Sequence, residues 1–505
     1  MMTEDLDGLI ETVASHTSLG HCKRDRAFVR HVRTMCLHPG GTGAGSSRSP
    51  ADTAAAHRFA AGGAADLSAL RDTRLATALD ALPEEETLVV INDVSVLDYS
   101  RHRSKSDRRR VGNGRGRGYE YVCSLGLALE SERCVGVLHD CLIGVDGPDD
   151  TDRIDYHCDP RFEQVSKADP HRLECNHKHA LICHFRHISR HVGDRRTVLV
   201  ADREFDDHFI FTECLSHHRD LVIRSNALRN VQVRSDLPWL PEDRHTAKYA
   251  GLPRVPDHVC VGMDTLVELV PVTPFKTIPL DAKSRLADDA SAQSHAHVSV
   301  GVVPVVLYRK AERNKIRLEP GDYVRLNMVV IKEPNPPEDR DPIQWVLYTT
   351  LPTDNPEQIR KIVRIYELRW RIECFFKYLK SGFGLEDLRY DNAGKTAAHL
   401  VAVTIAATFL INLRTDAGLA GVGKLTPENH ARVRSAAKNP DDPNIDANLR
   451  LFALIARQGG WRARKGDPIT PMTMIRGFER VTAAAEMLRS SSSLLQLMAE
   501  GIGET

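Results

Sequence analysis

The chain has 505 residues, 42% of them apolar and 27% charged, with 68 Lys/Arg balanced by 68 Asp/Glu. That length exceeds one compact core and predicts about two to four domains. Zero net charge excludes a basic surface over the whole chain, though not a basic groove balanced elsewhere. Residues 1–10, MMTEDLDGLI, are acidic and lack the apolar core of a secretory signal. The longest apolar run, HLVAVTIAATFLINL (399–413), is too short to span a bilayer and reads as a buried helix. Eleven scattered cysteines suit reduced thiols in a cytoplasm better than a disulfide framework.

Residues 1–80 carry helical patterns, broken by the Gly/Ser stretch GGTGAGSSRSP (40–50). TLVVIND (87–93) is a short apolar run ending in an acid, as a buried strand would. YEYVCSLGLALE (119–130) and CVGVLHDCLIG (134–144) are strand-like, and a helix is expected over about 172–191. TVLVAD (197–202) is a second buried strand ending in an acid. A helical segment and the strand DLVIRSN (220–226) follow. This order predicts a mixed α/β sheet covered by helices. Residues 227–350 are β-rich and interrupted, with the turn NPPEDRDP before IQWVLYTTLP. Asp354-Asn355-Pro356 looks like an N-cap with proline in the first helical turn. Residues 396–505 are helical in pattern.

Cys158, Cys175, His177, His179, Cys183, His184 and His187 lie close together, but no CxxC pair is present. The segment is read as a histidine-rich amphipathic helix with two buried cysteines.

The segment RIYELRWRIECFFKYLKSGFG (364–384) predicts one helix. Tyr366, Arg369, Glu373 and Lys380 then fall at roughly 0°, 300°, 340° and 320°, on one face. Lys377 lies beside that stripe. Asp93 and Asp202 each end a strand in this reading, the usual place for a site in an α/β sheet. Three carboxylates meeting at one point need hard cations, Mg²⁺ or Mn²⁺. Two such ions activate a nucleophile and stabilise a leaving oxygen in phosphoryl transfer. The run RHRSKSDRRRVGNGRGR (101–117) holds eight Lys/Arg against one Asp and follows the Asp93 strand, suiting contact with a nucleic-acid backbone through Arg108, Arg109 and Arg110.

The spacing of Tyr366, Arg369, Glu373 and Lys380 resembles the YREK signature of a group of bacterial insertion-sequence transposases. These are DDE enzymes of the cut-and-paste, hairpin-forming type. INDVSVLDYS (91–100), LVADREFDDHF (199–209), LVIRSNALR (221–229) and NPPEDRDPIQWVLYTTLP (335–352) resemble further segments of that group. The first acid departs from it, with Asp93-Val94-Ser95 in place of an Asp-Thr-Thr-like run.

The resemblance implies an RNase H-like mixed sheet with helices on both faces. It is interrupted by a β-rich insertion domain and flanked by helical N- and C-terminal regions. The divisions expected are 1–80 for DNA-end recognition, 81–226 for the first part of the core, 227–350 for the insertion, 351–395 for the signature helix and 396–505 for dimerisation. Asp93, Asp202 and Glu373 would hold two Mg²⁺ or Mn²⁺ ions. Arg369, Lys380, Lys377 and Arg224 would contact DNA, and Tyr366 and Trp345 would meet a base flipped out near the transposon end. The implied partners are double-stranded terminal repeats, target DNA and a second copy in a synaptic dimer, with no membrane, in a cytoplasmic, nucleoid-associated setting. The rival readings are an RNase H-like nuclease without strand transfer and a catalytically silent DNA-binding regulator.

Overall fold

The computed structural model describes residues 2–39, 50–63, 66–112, 116–143, 177–226, 229–241, 251–279, 295–309, 315, 317–336, 341–419, 425–464 and 468–502. The chain forms two compact units: Met1–Arg195 with Trp370–Thr505, and Arg196–Arg369. The expected boundaries at 226/227 and 350/351 both fall inside the second unit. The Gly/Ser stretch at 40–49 and the residues Cys158 and Cys175 lie outside the described residues.

The first unit opens with helices α1 (Met2–His16), α2 (Cys22–Leu37), α3 (Pro50–Gly63) and α4 (Leu67–Asp80). Strands β1 (Leu88–Asp98), β2 (Arg109–Val111), β3 (Gly116–Ala128) and β4 (Cys134–Ile143) follow, then α5 (His177–His191). Among these four strands the pairings run antiparallel through β3, and β1 lies on β3 from Leu88↔Ala128 to Asp98↔Gly118. Gly118 is required there, because a Cβ would stand 1.8 Å from the Leu97 carbonyl oxygen. Helices cover both faces. Ala180 of α5 packs with Val122 and Cys141 on one face. On the other, Asp140 of β4 accepts hydrogen bonds from Arg71 (3.1 Å) and Arg74 (2.8 Å) of α4. Burial opposes the Asp140 charge, yet the two guanidiniums hold its carboxyl well below the usual range. A buried charge persists only when so paired, and this pair fixes α4 to β4.

The second unit contains β5 (Thr197–Ala201), a short 3₁₀ turn (Arg203–Phe205), α6 (His208–Ser216), β6 (Asp220–Arg224), β7 (Asn230–Arg234) and β8 (His258–Gly262). It continues through α7 (Met263–Leu269), β9 (Thr273–Pro279), β10 (His295–Tyr308), β11 (Tyr323–Lys332), β12 (Gln344–Thr349) and α8 (Pro356–Glu367). Within it the strand order is β5-β6-β12-β11-β10-β7-β8, with β9 on β10. β5 and β6 are parallel and fully buried at their centres, which explains their unbroken apolar runs. β12 pairs with β6 (Leu347↔Arg224), so the β-rich segment shares a sheet with β5 and β6.

The chain returns to the first unit as α9 (Trp370–Lys377), a π-helical turn (Tyr378–Gly382) and a 3₁₀ turn (Leu385–Asp387). Helices α10 (Ala393–Asp416), α11 (Pro427–Lys438), α12 (Ala447–Gln458) and α13 (Pro471–Ile502) complete it. α10 is long and apolar enough to cross a membrane, but 78% of its apolar window is buried in the protein. It packs against α2, α3, α4 and β4.

Two expectations need correction. Asp93 does not end its strand: β1 continues five residues to Asp98. The alternating VSVLD keeps extended backbone after the continuous apolar run stops. The segment 364–384 is not one helix either. α8 is capped at Leu368, and α9 starts at Trp370 and widens into the π turn at Tyr378. A π turn has more residues per turn than the α-helix, so a constant 100° step does not hold from Tyr366 to Lys380.

Candidate functional site

In the first unit, Asp93 lies half-buried midway along β1, directly opposite Cys123 of β3. Its Oδ1 accepts from the Val94 amide at 2.8 Å. α9 packs against β1 and places half-buried Glu373 in its first turn. Phe376, three residues on, meets the ring of Tyr121 at 5.9 Å. Tyr121 is two residues from Cys123 on β3, so side-chain alternation puts it on the Asp93 face. Thus α9 covers the face that carries Asp93.

The chain after α9 then follows β1 towards its end. Lys380 donates to the Val96 carbonyl at 2.5 Å and stands 3.6 Å from Glu386. Glu386 accepts from the Asp98 amide, and the Tyr99 hydroxyl donates to the Leu385 carbonyl at 2.6 Å. Gly382 makes room for Ile475 of α13, which would collide with a Cβ at 2.0 Å. Lys380 is therefore a tie to β1. Lys377 is exposed and stands 6.0 Å from the ring centroid of Trp370, an exposed aromatic that the sequence reading did not single out.

The basic run after β1 divides into two kinds of cation. Arg108, expected on DNA, donates to the carbonyls of Lys105 (2.8 Å) and Tyr99 (2.7 Å), locking the loop to itself. Lys105 is buried, donates to the Tyr390 carbonyl at 2.5 Å and lies 4.3 Å from the centre of the Tyr99 ring. Burial lowers its pKa to about 8. Asp107 accepts from the Tyr119 hydroxyl and, at 2.7 Å, from the Ala393 amide. Among the described side chains of the run, Arg101, Arg103, Arg110 and Arg117 are exposed. Arg109 lies on β2, opposite Gly118.

In the second unit, Asp202 stands at the carboxyl end of β5, as expected. Its Oδ1 accepts from the Glu204 amide at 2.7 Å and caps the 3₁₀ turn. α8 packs against β5 and β6, starting from Asn355, whose side chain accepts from the amides of Glu357 and Gln358. This brings buried Tyr366 to the ends of those strands. Burial raises the Tyr366 pKa; Arg369 and Arg224 oppose the shift, Arg224 also hydrogen-bonds the hydroxyl, and Asp202 adds to it. Trp345 of β12 meets the Tyr366 ring edge-on at 5.9 Å and 60°. Asp202, Arg224, Trp345, Tyr366 and Arg369 thus come together. Tyr366 is 5% exposed and Trp345 only half-buried, so Trp345 is the more accessible ring.

Chemically, the second group offers one carboxylate, two guanidiniums and an aromatic surface, a set suited to a phosphodiester and a base. The first offers two carboxylates on packed elements. Among the described residues no group of three or more His, Cys, Asp or Glu side chains is gathered to hold a metal ion. Asp93 and Glu373 of the first unit and Asp202 of the second are each hard oxygen donors, the type that Mg²⁺ and Mn²⁺ take.

Residues 158–409, about half of the chain, match the family described as Transposase DDE domain. The matched stretch includes Asp202, Arg224, Trp345, Tyr366, Arg369, Glu373, Lys377 and Lys380. Asp93 and the basic loop precede it.

Proposed function

Because the chain carries a transposase DDE domain and so acts on DNA, we propose that it excises and inserts its own mobile element by phosphoryl transfer. Water cuts one strand at each element end. The freed 3′-hydroxyl attacks the opposite strand to form a hairpin, the hairpin is reopened, and the end is joined to target DNA. The proposed metal ligands are Asp93, Asp202 and Glu373, holding two divalent ions, generally Mg²⁺. When bound, such ions activate the attacking oxygen and stabilise the leaving one.

The chain's own groups position the DNA. Arg369 and Arg224 hold phosphate beside Asp202, and Lys377 adds a solvent-facing cation next to Glu373. Lys380 holds the π turn after α9 to β1 and presents its remaining donors to the DNA backbone. Trp345 stacks on a base extruded near the cut, while Tyr366, edge-on to Trp345 and bonded to Arg224, keeps that ring in place. Extrusion costs a few kcal/mol, of the same order as one base–aromatic stack. A synaptic dimer, with C-terminal helices in the contact, is part of the same reading.

The observation that carries the proposal is the grouping of Asp202 with Arg224, Arg369, Tyr366 and Trp345 inside the matched domain. The test is incubation of end-containing duplex with target DNA and Mg²⁺. Hairpin ends and joined products are expected. Cut ends that never form hairpins or join would replace this reading with that of a nuclease.

A further inference from the structure

Arg110 and Arg117 stand directly opposite each other on β2 and β3, and both are exposed. Directly opposed side chains share a face with Cβ atoms about 4.5–5.5 Å apart, and like charges so placed destabilise the pair. Among the described residues neither guanidinium has a carboxylate partner. The neighbouring acids do not supply one. Asp98 pairs with Gly118, and Glu120 is three residues from Arg117, so alternation puts both on the opposite face. Asp107 is buried and engaged by Tyr119 and Ala393. Two adjacent guanidiniums held by a sheet, with no counter-charge among the described residues, fit an external polyanion.

Their position narrows the choice. Arg117 lies six residues along β3 from Cys123, the partner of Asp93, and an even offset returns to the same face. The separation along the strand is about 20 Å at roughly 3.3 Å per residue. In B-DNA that spans about six base pairs. We propose that Arg110 and Arg117 form a two-phosphate clamp on duplex DNA about six base pairs from the bond that is cut. This rests on the transposase reading and adds a backbone contact beyond the buried Tyr119 and Tyr121 of the same face. The pair reads no sequence, since it meets phosphates and not base edges.

The test uses the full chain, an end-containing duplex and fluorescence anisotropy between 50 and 200 mM salt. Arg110→Gln with Arg117→Gln removes both charges, and Arg110→Lys with Arg117→Lys keeps them. Each neutralised phosphate contributes about 0.9 to the slope of log affinity against log salt. The Gln variant should lose about 1.8 units of slope, so that its deficit narrows roughly tenfold across that salt range. The Lys variant should retain most of the slope. Trimming the duplex to three base pairs beyond the cut on the clamp side should weaken the parent and leave the Gln variant unaffected. The Gln variant should melt no lower than the parent, since it relieves a like-charge pair, and the Lys variant, which keeps that pair, should melt close to the parent. An unchanged slope in the Gln variant, with the parent binding and cutting normally, overturns the clamp alone. A parent that neither binds nor cuts the duplex overturns the transposase reading, and the clamp with it.

Discussion

The β1–α9 layer of the first unit and the β5–β6–α8 layer of the second treat their charges differently. In the first, cations are tied to backbone: Lys380 to Val96, Arg108 to Tyr99 and Lys105, and Lys105 to Tyr390. Asp93 and Glu373 sit in a layer stiffened by these ties. In the second, Asp202, Arg224 and Arg369 all act on the Tyr366 hydroxyl beside Trp345, and Arg224 also donates to the Gln344 carbonyl at 3.3 Å. The difference separates two jobs that a run of charge in a sequence does not separate. Lys105 and Arg108 hold a framework, whereas Arg224 and Arg369 act on the Tyr366 ring of the candidate site.

On the proposed reading the carboxylates of both layers are metal ligands. Asp93→Asn, Asp202→Asn and Glu373→Gln should each slow cleavage of end DNA at least about a thousandfold, roughly 4 kcal/mol of barrier. Melting temperature should barely move. If one of the three retains parental cleavage, that acid is not a metal ligand.

Trp345→Ala should act on the second layer only. A lost base stack of about 1–3 kcal/mol predicts a tenfold to hundredfold slower hairpin step. First-strand nicking should be affected less. Equal loss in both steps, measured by single-turnover kinetics, would mean that the ring merely packs against Tyr366.

Lys105→Ala should act on the first layer through stability. It leaves the Tyr390 carbonyl and Thr396 without their donor and empties a buried site, at a cost of about 2–4 kcal/mol in urea unfolding. The same lysine gives a signature in pH. Its pKa falls from 10.5 to about 8 on folding because burial disfavours the charge. Between those values the unfolded chain binds a proton that the folded chain does not, so stability rises with pH there. The parent should gain on Lys105→Ala between pH 8 and 10; a constant gap would remove the lysine from the titrating core.

The smallest effect is shared among buried histidines. Burial lowers the pKa of His31 and His184 to about 4 and about 3, and that of His139 and His399 well below the ordinary value. As pH falls below 6.5 the unfolded chain takes up protons that these rings refuse, so stability declines. His184→Asn should flatten part of that decline in melting temperature. A melting curve as steep as the parent's would show that His184 titrates normally.

Much of this was legible in the sequence where local rules decide. β5 is an unbroken apolar run because it is buried in a parallel pairing, and Asp202 follows it as a turn former does. The Asn355-Pro356 start of α8 obeys capping chemistry. Tertiary context decided the rest. Lys105 looks like one more surface cation, and its carbonyl partner on Tyr390 lies 285 residues away. The break at Leu368 carries no glycine or proline to announce it. The Arg110–Arg117 pair depends on a hairpin register that a charge count cannot supply.

Metal-directed cleavage of the polypeptide tests most directly the proposal that Asp93, Asp202 and Glu373 are metal ligands. With end DNA bound and Fe²⁺ and ascorbate replacing Mg²⁺, hydroxyl radicals cut backbone close to the bound metal. The account predicts cuts near residues 93, 202 and 373 together, suppressed by excess Mg²⁺. Cuts confined to one of these segments, or clustered elsewhere and insensitive to Mg²⁺, would contradict it.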